Sequence, residues 1–166
     1  MSPSDRRETS IDKQPRPLDL AWSAMGAAVA IGLALWLVAD DRSVFLLASL
    51  GGSTVFLFAL TGAEAAQPRA LIGGHLGSAM IGILCFQLFG DALWVSVLAL
   101  VLTLVFMILT RTIHPPAGAN PLCMVHYHAT FYALLKPVGL GVLTLFLVAL
   151  LWSRMRRGTH YPVKWS

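Results

Sequence analysis

Charge is the scarcest commodity in this sequence. Lysine, arginine, aspartate and glutamate together make up 12% of its 166 residues, about half the share that a water-soluble domain carries. That shortage excludes an ordinary soluble protein. Cysteine is scarce as well. Cys85 and Cys123 both fall inside apolar stretches, which argues against a disulfide scaffold and leaves them as small packing residues. No HExxH, GxSxG or phosphate-loop pattern occurs. Hydrolytic or nucleotide-dependent chemistry therefore has no anchor, and the chain reads as a non-enzyme without a cofactor.

What the sequence does have is apolar length: 57% of its residues are hydrophobic and its mean hydropathy is +0.72. Its net charge is +4, and eight of its twelve basic residues lie in the two ends. Arg6, Arg7, Lys13 and Arg16 lie in a polar tail over residues 1–19, and Arg154, Arg156, Arg157 and Lys164 in a second tail over residues 154–166. Basic residues placed this way mark the cytoplasmic side of a membrane protein rather than a nucleic-acid groove. The expectation is an integral protein of a bacterial cytoplasmic (inner) membrane, with both termini inside and the lipid bilayer as its main partner. Leu20–Ala39 is too long for a signal core and lacks a small-x-small site before Asp40, so it reads as a retained span.

Polar punctuation divides residues 20–153, the transmembrane domain, into six apolar blocks: Leu20–Ala39, Val44–Ala63, Ala70–Gly90, Ala92–Thr110, Pro115–Leu135 and Pro137–Ser153. About 20 apolar residues cross a hydrocarbon core of ~30 Å, and in lipid such segments are helical because the backbone must satisfy itself. The fold class is therefore an all-α membrane bundle. The second and fifth blocks carry breakers, Gly51-Gly52-Ser53-Thr54 and His114-Pro115-Pro116-Ala117-Gly118-Ala119-Asn120-Pro121. Each predicts an interrupted or re-entrant segment, with a helix starting inside the membrane at Val55 or Leu122. A shift of 67 positions lays Gly51 on Gly118, Ser53 on Asn120 and Arg69 on Lys136. Identity between the halves is thin, but their shared order suggests a 3+3 inverted repeat of the kind transporters use. Loop charge favours six crossings over four, with Arg69 and Arg111 inside and Asp40, Asp41, Asp91 and Lys136 outside.

Two helix starts facing each other within a bilayer would present unpaired N–H groups to a small anion. The expected site lies at Gly51–Thr54 and Gly118–Asn120. His75 lies early in the third span; an ionisable residue there faces protein or water, and it is a candidate proton acceptor. Arg69 either marks the interface or gathers anions at a pore mouth. Arg111 reads as a boundary charge and Glu64 as a solvated loop residue. His126 and His128, two apart, point to different sides of a helix, poor geometry for chelation. Small residues across Met25–Gly32, Gly73–Gly82 and Gly139–Gly141 are set for helix contacts.

The segments Ser49–Ser53 (SLGGS), Gln67-Pro68-Arg69, Gly73-Gly74-His75, Thr112–Ala119 (TIHPPAGA) and a terminal Tyr161-Pro162 with Trp165 occur in one order along the chain. In these pieces the chain resembles the HPP family of integral membrane proteins, named for its histidine-proline-proline motif. It departs from the family pattern at Thr61–Ala66 and at Asn120–His128. The resemblance implies four membrane-spanning helices and a transport role, with nitrite as substrate. The substrate pathway expected on these grounds comprises Ser49, Gly51, Gly52, Ser53, Thr54, Gln67, Arg69, Gly74, His75, His114, Pro115, Pro116, Gly118 and Asn120. The preferred function is a channel or secondary transporter for a small inorganic anion, working as a homo-oligomer and holding no metal. The alternatives are a metal- or proton-handling enzyme subunit built on the internal histidines, and a structural subunit of a membrane complex.

Overall fold

The computed structural model describes residues 16–38, 44–155 and 160–165, with the side chains of all but 44–47. The tail up to residue 15, the charged residues 40–42 and Arg156-Arg157 fall outside the described residues. Everything regular among them is helical: α1 (Pro17–Val38), α2 (Val44–Ala59), α3 (Pro68–Phe89), α4 (Leu93–Thr110), α5 (Ala119–His126) and α6 (Gly141–Arg154). Short 3-10 turns stand at Glu64–Ala66 and Pro115–Gly118, and a π-helical stretch, Leu134–Leu140, leads into α6.

The distribution of side chains is that of a membrane bundle. α4 turns Val95, Ala99, Thr103 and Met107 inward, one every fourth residue. Its other faces expose Leu93, Val97, Val101, Leu104, Ile108 and Leu109, large apolar groups that only lipid would cover at no cost. α1 is built alike, with Gly26, Ala30, Ala34 and Val38 as its inward seam. At Gly26 a Cβ would lie 2.6 Å from both Phe58 Cε1 and Trp152 Nε1. That close approach is what the small residues of this stretch provide.

Among the described residues, four helical segments are long and apolar enough to cross a membrane: Pro17–Val38, Pro68–Phe89, Leu93–Thr110 and Leu134–Arg154. The remaining two passages are shorter, yet the chain still alternates between two ends of the bundle. At one end the Trp22 and Trp152 rings sit 4.6 Å apart, Arg69 Nη2 donates to Thr110 O at 2.8 Å and Tyr161 OH donates to Ala66 O at 2.8 Å. At the other end His128 Nε2 meets Asp91 Oδ2 at 2.8 Å. α5 runs alongside α3, with Asn120 beside His75 and Pro121 against Gly82. The fifth passage thus descends from Thr112 to His128 as a 3-10 turn followed by an eight-residue helix.

Only one of the two expected interruptions is present. The fifth passage is broken where Pro115 and Pro116 deny a helix its donors. α2, by contrast, runs unbroken through Gly51-Gly52-Ser53-Thr54. The helix accommodates these residues: the Ser53 and Thr54 hydroxyls lie 2.9 Å from the carbonyls of Ser49 and Leu50, positions compatible with a continuous helix, and Gly52 makes room for the Pro116 ring, whose Cβ would stand 3.0 Å from an added Cβ. The middle passages of the two halves therefore differ in form. The fifth passage also ends earlier than its composition suggests, at His126, and the chain turns through His128 at φ 53. Lys136 and Pro137 lie inside the sixth passage, where the wider π-turn accommodates the missing proline N–H.

Candidate functional site

Within the first half of α3 the bundle holds a closed set of polar side chains. His75, Ser78, His114, Asn120 and Ser53 are each at most 1% exposed, and Ser49 is 2% exposed. Their placement follows from backbone rules already described. Continuity of α2 puts Ser49 and Ser53 on one face, four residues apart. The proline pair swings His114 inward in extended conformation (φ −133, ψ 97). Gly74 allows that entry, because a Cβ there would lie 2.9 Å from both His114 Cβ and Thr112 O.

Ser53 is the hub. Its Oγ lies 2.8 Å from His75 Nε2, 2.8 Å from His114 Nε2 and 2.9 Å from Ser49 O. Outward from the hub, His114 Nδ1 is 2.6 Å from Ala65 O, and His75 Nδ1 is 3.0 Å from Asn120 Nδ2. Asn120 Nδ2 also donates to His75 O at 3.2 Å and to Ser78 Oγ at 3.1 Å. Ser49 Oγ donates to Pro116 O at 3.0 Å and stands 3.4 Å from His75 Nδ1. The two imidazole rings are 5.0 Å apart. A buried network in which every member has a partner is rigid and specific.

The expected pathway residues divide. Ser49, Gly52, Ser53, Gly74, His75, His114, Pro116 and Asn120 form the cluster or the close packing around it. Gly51 and Thr54 line a groove between α1 and α2 instead. A Cβ on Gly118 would meet nothing within 4 Å, so it does not face Gly52. Pro115 is exposed. Arg69 is exposed and its guanidinium caps the last carbonyls of α4. Gln67 is a staple: Nε2 donates to Thr61 O and Ala63 O, both at 2.9 Å, while Oε1 accepts from the Val163 and Lys164 N–H groups at 2.9 and 3.0 Å. Burial raises the Tyr161 phenol above its ordinary pKa, so it stays protonated and holds the tail on Ala66. Gln67→Leu is expected to release residues 160–165, at a cost of about 1–3 kcal/mol for the orphaned groups. Limited proteolysis in detergent should then cut the C-terminal segment well before the helices.

Two participants were missed. Ser78 is three residues beyond His75, the spacing that shares a helix face, and that signal was available. The Ala65 carbonyl carries no side-chain signature. His126 and His128 stay apart from the cluster, at the far end. There His128 stacks on Phe86 and pairs with Asp91, and its hydrogen bond holds the Asp91 carboxyl below the usual carboxylate range. The four internal histidines therefore do not assemble into one metal site.

The model of the HPP transmembrane region matches residues 12–162. The chain belongs to the HPP transmembrane family. Two relatives in Dictyostelium discoideum, both described as transmembrane proteins, resemble it. One is 35% identical over 93% of this chain and 54% of its own length; the other is 31% identical over 95% of this chain and 60% of its own length. The chain thus spans somewhat more than half the length of these relatives. No solved structure matches it. The histidine that names the HPP motif is His114, the ring that joins Ser53 to Ala65 in this cluster.

Proposed function

We propose that this chain carries a small monovalent inorganic anion across a bacterial cytoplasmic membrane, acting as a secondary transporter. Nitrite is the substrate that the family resemblance implies. The observation that carries the reading is the sealed His75–Ser53–His114 cluster inside the bundle, beside the start of a broken membrane passage. Intramembrane ionisable groups mark substrate and proton pathways, and broken passages house transporter sites. Because the cluster is closed on all sides, a carrier that opens to each face in turn fits better than a standing pore. Efflux from preloaded proteoliposomes, compared across nitrite, nitrate, formate and chloride, tests this. Nitrite should leave fastest, and equal leakage of all four would remove the specificity claimed.

Orientation belongs to the same proposal. Arg16, Arg69, Arg111, Arg154 and Lys164 gather at the end that holds both tails, against Lys136 towards the other. The positive-inside rule makes the tail end cytoplasmic. With Cys85 and Cys123 replaced, cysteine at exposed Gly62 should resist an impermeant thiol reagent in intact cells, whereas cysteine at Thr130 should react. The reverse pattern would invert the topology. The working form is a homo-oligomer on this reading, since so small a bundle encloses little volume of its own; the mass of the detergent-free particle measures it.

A further inference from the structure

We infer that His114 Nε2 is a one-proton site, switched by the Ser53 hydroxyl, and that the proton it takes travels with one monovalent anion. The coupling half of this inference rests on the transport reading; the proton site itself does not.

The hydrogen-bond roles can be fixed one after another from groups that have no choice. A carbonyl only accepts, so His114 Nδ1, at 2.6 Å from Ala65 O, carries a proton. Asn120 Nδ2 has no lone pair with which to accept, and its two hydrogens are shared among His75 Nδ1, His75 O and Ser78 Oγ. His75 Nδ1 therefore accepts, and the proton of neutral His75 sits on Nε2 and is donated to Ser53 Oγ. Ser53 has one proton and two further neighbours, His114 Nε2 and Ser49 O. With His114 neutral, the hydroxyl points at His114 Nε2. The Ser49 carbonyl loses nothing essential, because it keeps its bond within the helix.

Adding one proton to His114 Nε2 reverses a single bond. The new N–H donates to Ser53 Oγ, and the Ser53 proton turns to Ser49 O at 2.9 Å. The oxygen then accepts twice and donates once, its full capacity. Both protonation states thus leave every group in the cluster partnered. His75 has no such freedom. A proton on its Nδ1 would point at the Asn120 amide, with only Ser49 Oγ at 3.4 Å to receive it. The histidine closest to mid-span is therefore the fixed support, and the HPP histidine is the one that loads.

The loaded ring is a buried cation without a fixed counter-charge. Against the two rings stand Ser49, Ser53 and Phe56 from α2, Gly74 from α3, Asn120 from α5 and the Ala65 carbonyl, with Ser78, Met107 and Pro116 O in the next layer. The only titratable groups in this set are the two histidines themselves. Nearby charges at the tail end are engaged elsewhere: Glu64 lies 3.7 Å from Lys164 in an exposed pair, and Arg69 is on Thr110 O. An unpaired charge in such surroundings is costly, and a mobile anion removes the cost. One proton and one monovalent anion cross together as a neutral pair.

The test reads nitrogen-15 signals of histidine in nanodiscs, with exposed His126, His128 and His160 replaced by asparagine so that only His75 and His114 report. At neutral pH we expect one ring protonated at Nδ1 alone and the other at Nε2 alone, with His75→Gln removing the second. On acidification the first should gain one proton at Nε2 while His75 remains neutral, and saturating nitrite should raise that proton affinity about tenfold, a typical coupling. His75 protonating first, or both rings sharing one tautomer, would overturn the site. Correct tautomers with no response to nitrite, nitrate, formate or chloride would overturn the coupling. If the tautomers and the anion response both hold and vesicles nonetheless pass no anion, the transport reading fails and the proton site stands. The titration is read with the cluster itself unaltered and only exposed histidines outside it replaced, so a folding defect of a cluster variant cannot hide the answer.

Discussion

Alanine at Ser53 is expected to abolish transport and to cost about 2–6 kcal/mol of stability, since two buried imidazole nitrogens lose their partner at about 1–3 kcal/mol each. Ser53 is fully buried and bonded to both rings, so water has no route in to replace it. Ser49→Ala is the comparison. It removes one hydroxyl whose main bond goes to Pro116 O, and it should cost only about 1 kcal/mol. Denaturant titration in mixed micelles gives both numbers. If the two alanines cost the same, Ser53 is not the hub.

Alanine at Gly82 should be a strongly disruptive packing change. Its Cβ would lie 2.7 Å from Pro121 Cα, 2.8 Å from Met124 Cβ and 3.0 Å from Pro121 O. Two of those atoms are backbone, so no rotamer change relieves the clash and α5 must move away from α3. Overpacking costs about 1–3 kcal/mol and sometimes more, and a rigid neighbour places this variant at the upper end. The displacement also draws Asn120 away from His75, so flux should fall further than folded yield. Gly51→Ala and Gly118→Ala are the controls. An added Cβ meets nothing within 4 Å at either, and alanine in a helix-compatible backbone is neutral or slightly stabilising. Equal losses for Gly82→Ala and Gly118→Ala would contradict the packing described.

Much of this was legible in the letters, and the failures have physical reasons. Apolar length and sparse charge give the membrane bundle, because lipid leaves helices as the only solution. The proline pair gives the broken fifth passage, because proline cannot donate. Gly51-Gly52 misleads. Glycine lowers helix propensity by only ~1 kcal/mol, and tertiary contact outweighs that when Gly52 must admit Pro116. Pairing Gly51 with Gly118 by a shift of 67 assumes equal geometry in the two halves, which a continuous α2 and a broken fifth passage do not share. His75 and His114 were identifiable as buried ionisable groups. That they meet across one serine, and that Gln67 and Arg69 serve the scaffold instead, depends on contacts between residues tens of positions apart, which no local pattern encodes.

The central claim is that the His75–Ser53–His114 cluster moves an anion together with a proton. Purified protein in proteoliposomes, with internal pH recorded by a trapped dye while nitrite uptake is followed, measures both at once. The account predicts that nitrite entry acidifies the interior one proton per anion beyond any leak of nitrous acid through protein-free vesicles. It also predicts that an inward proton gradient accelerates entry and that His114→Gln removes the excess while remaining folded. Nitrite entry that is unaffected by the pH gradient and unchanged in His114→Gln would contradict it.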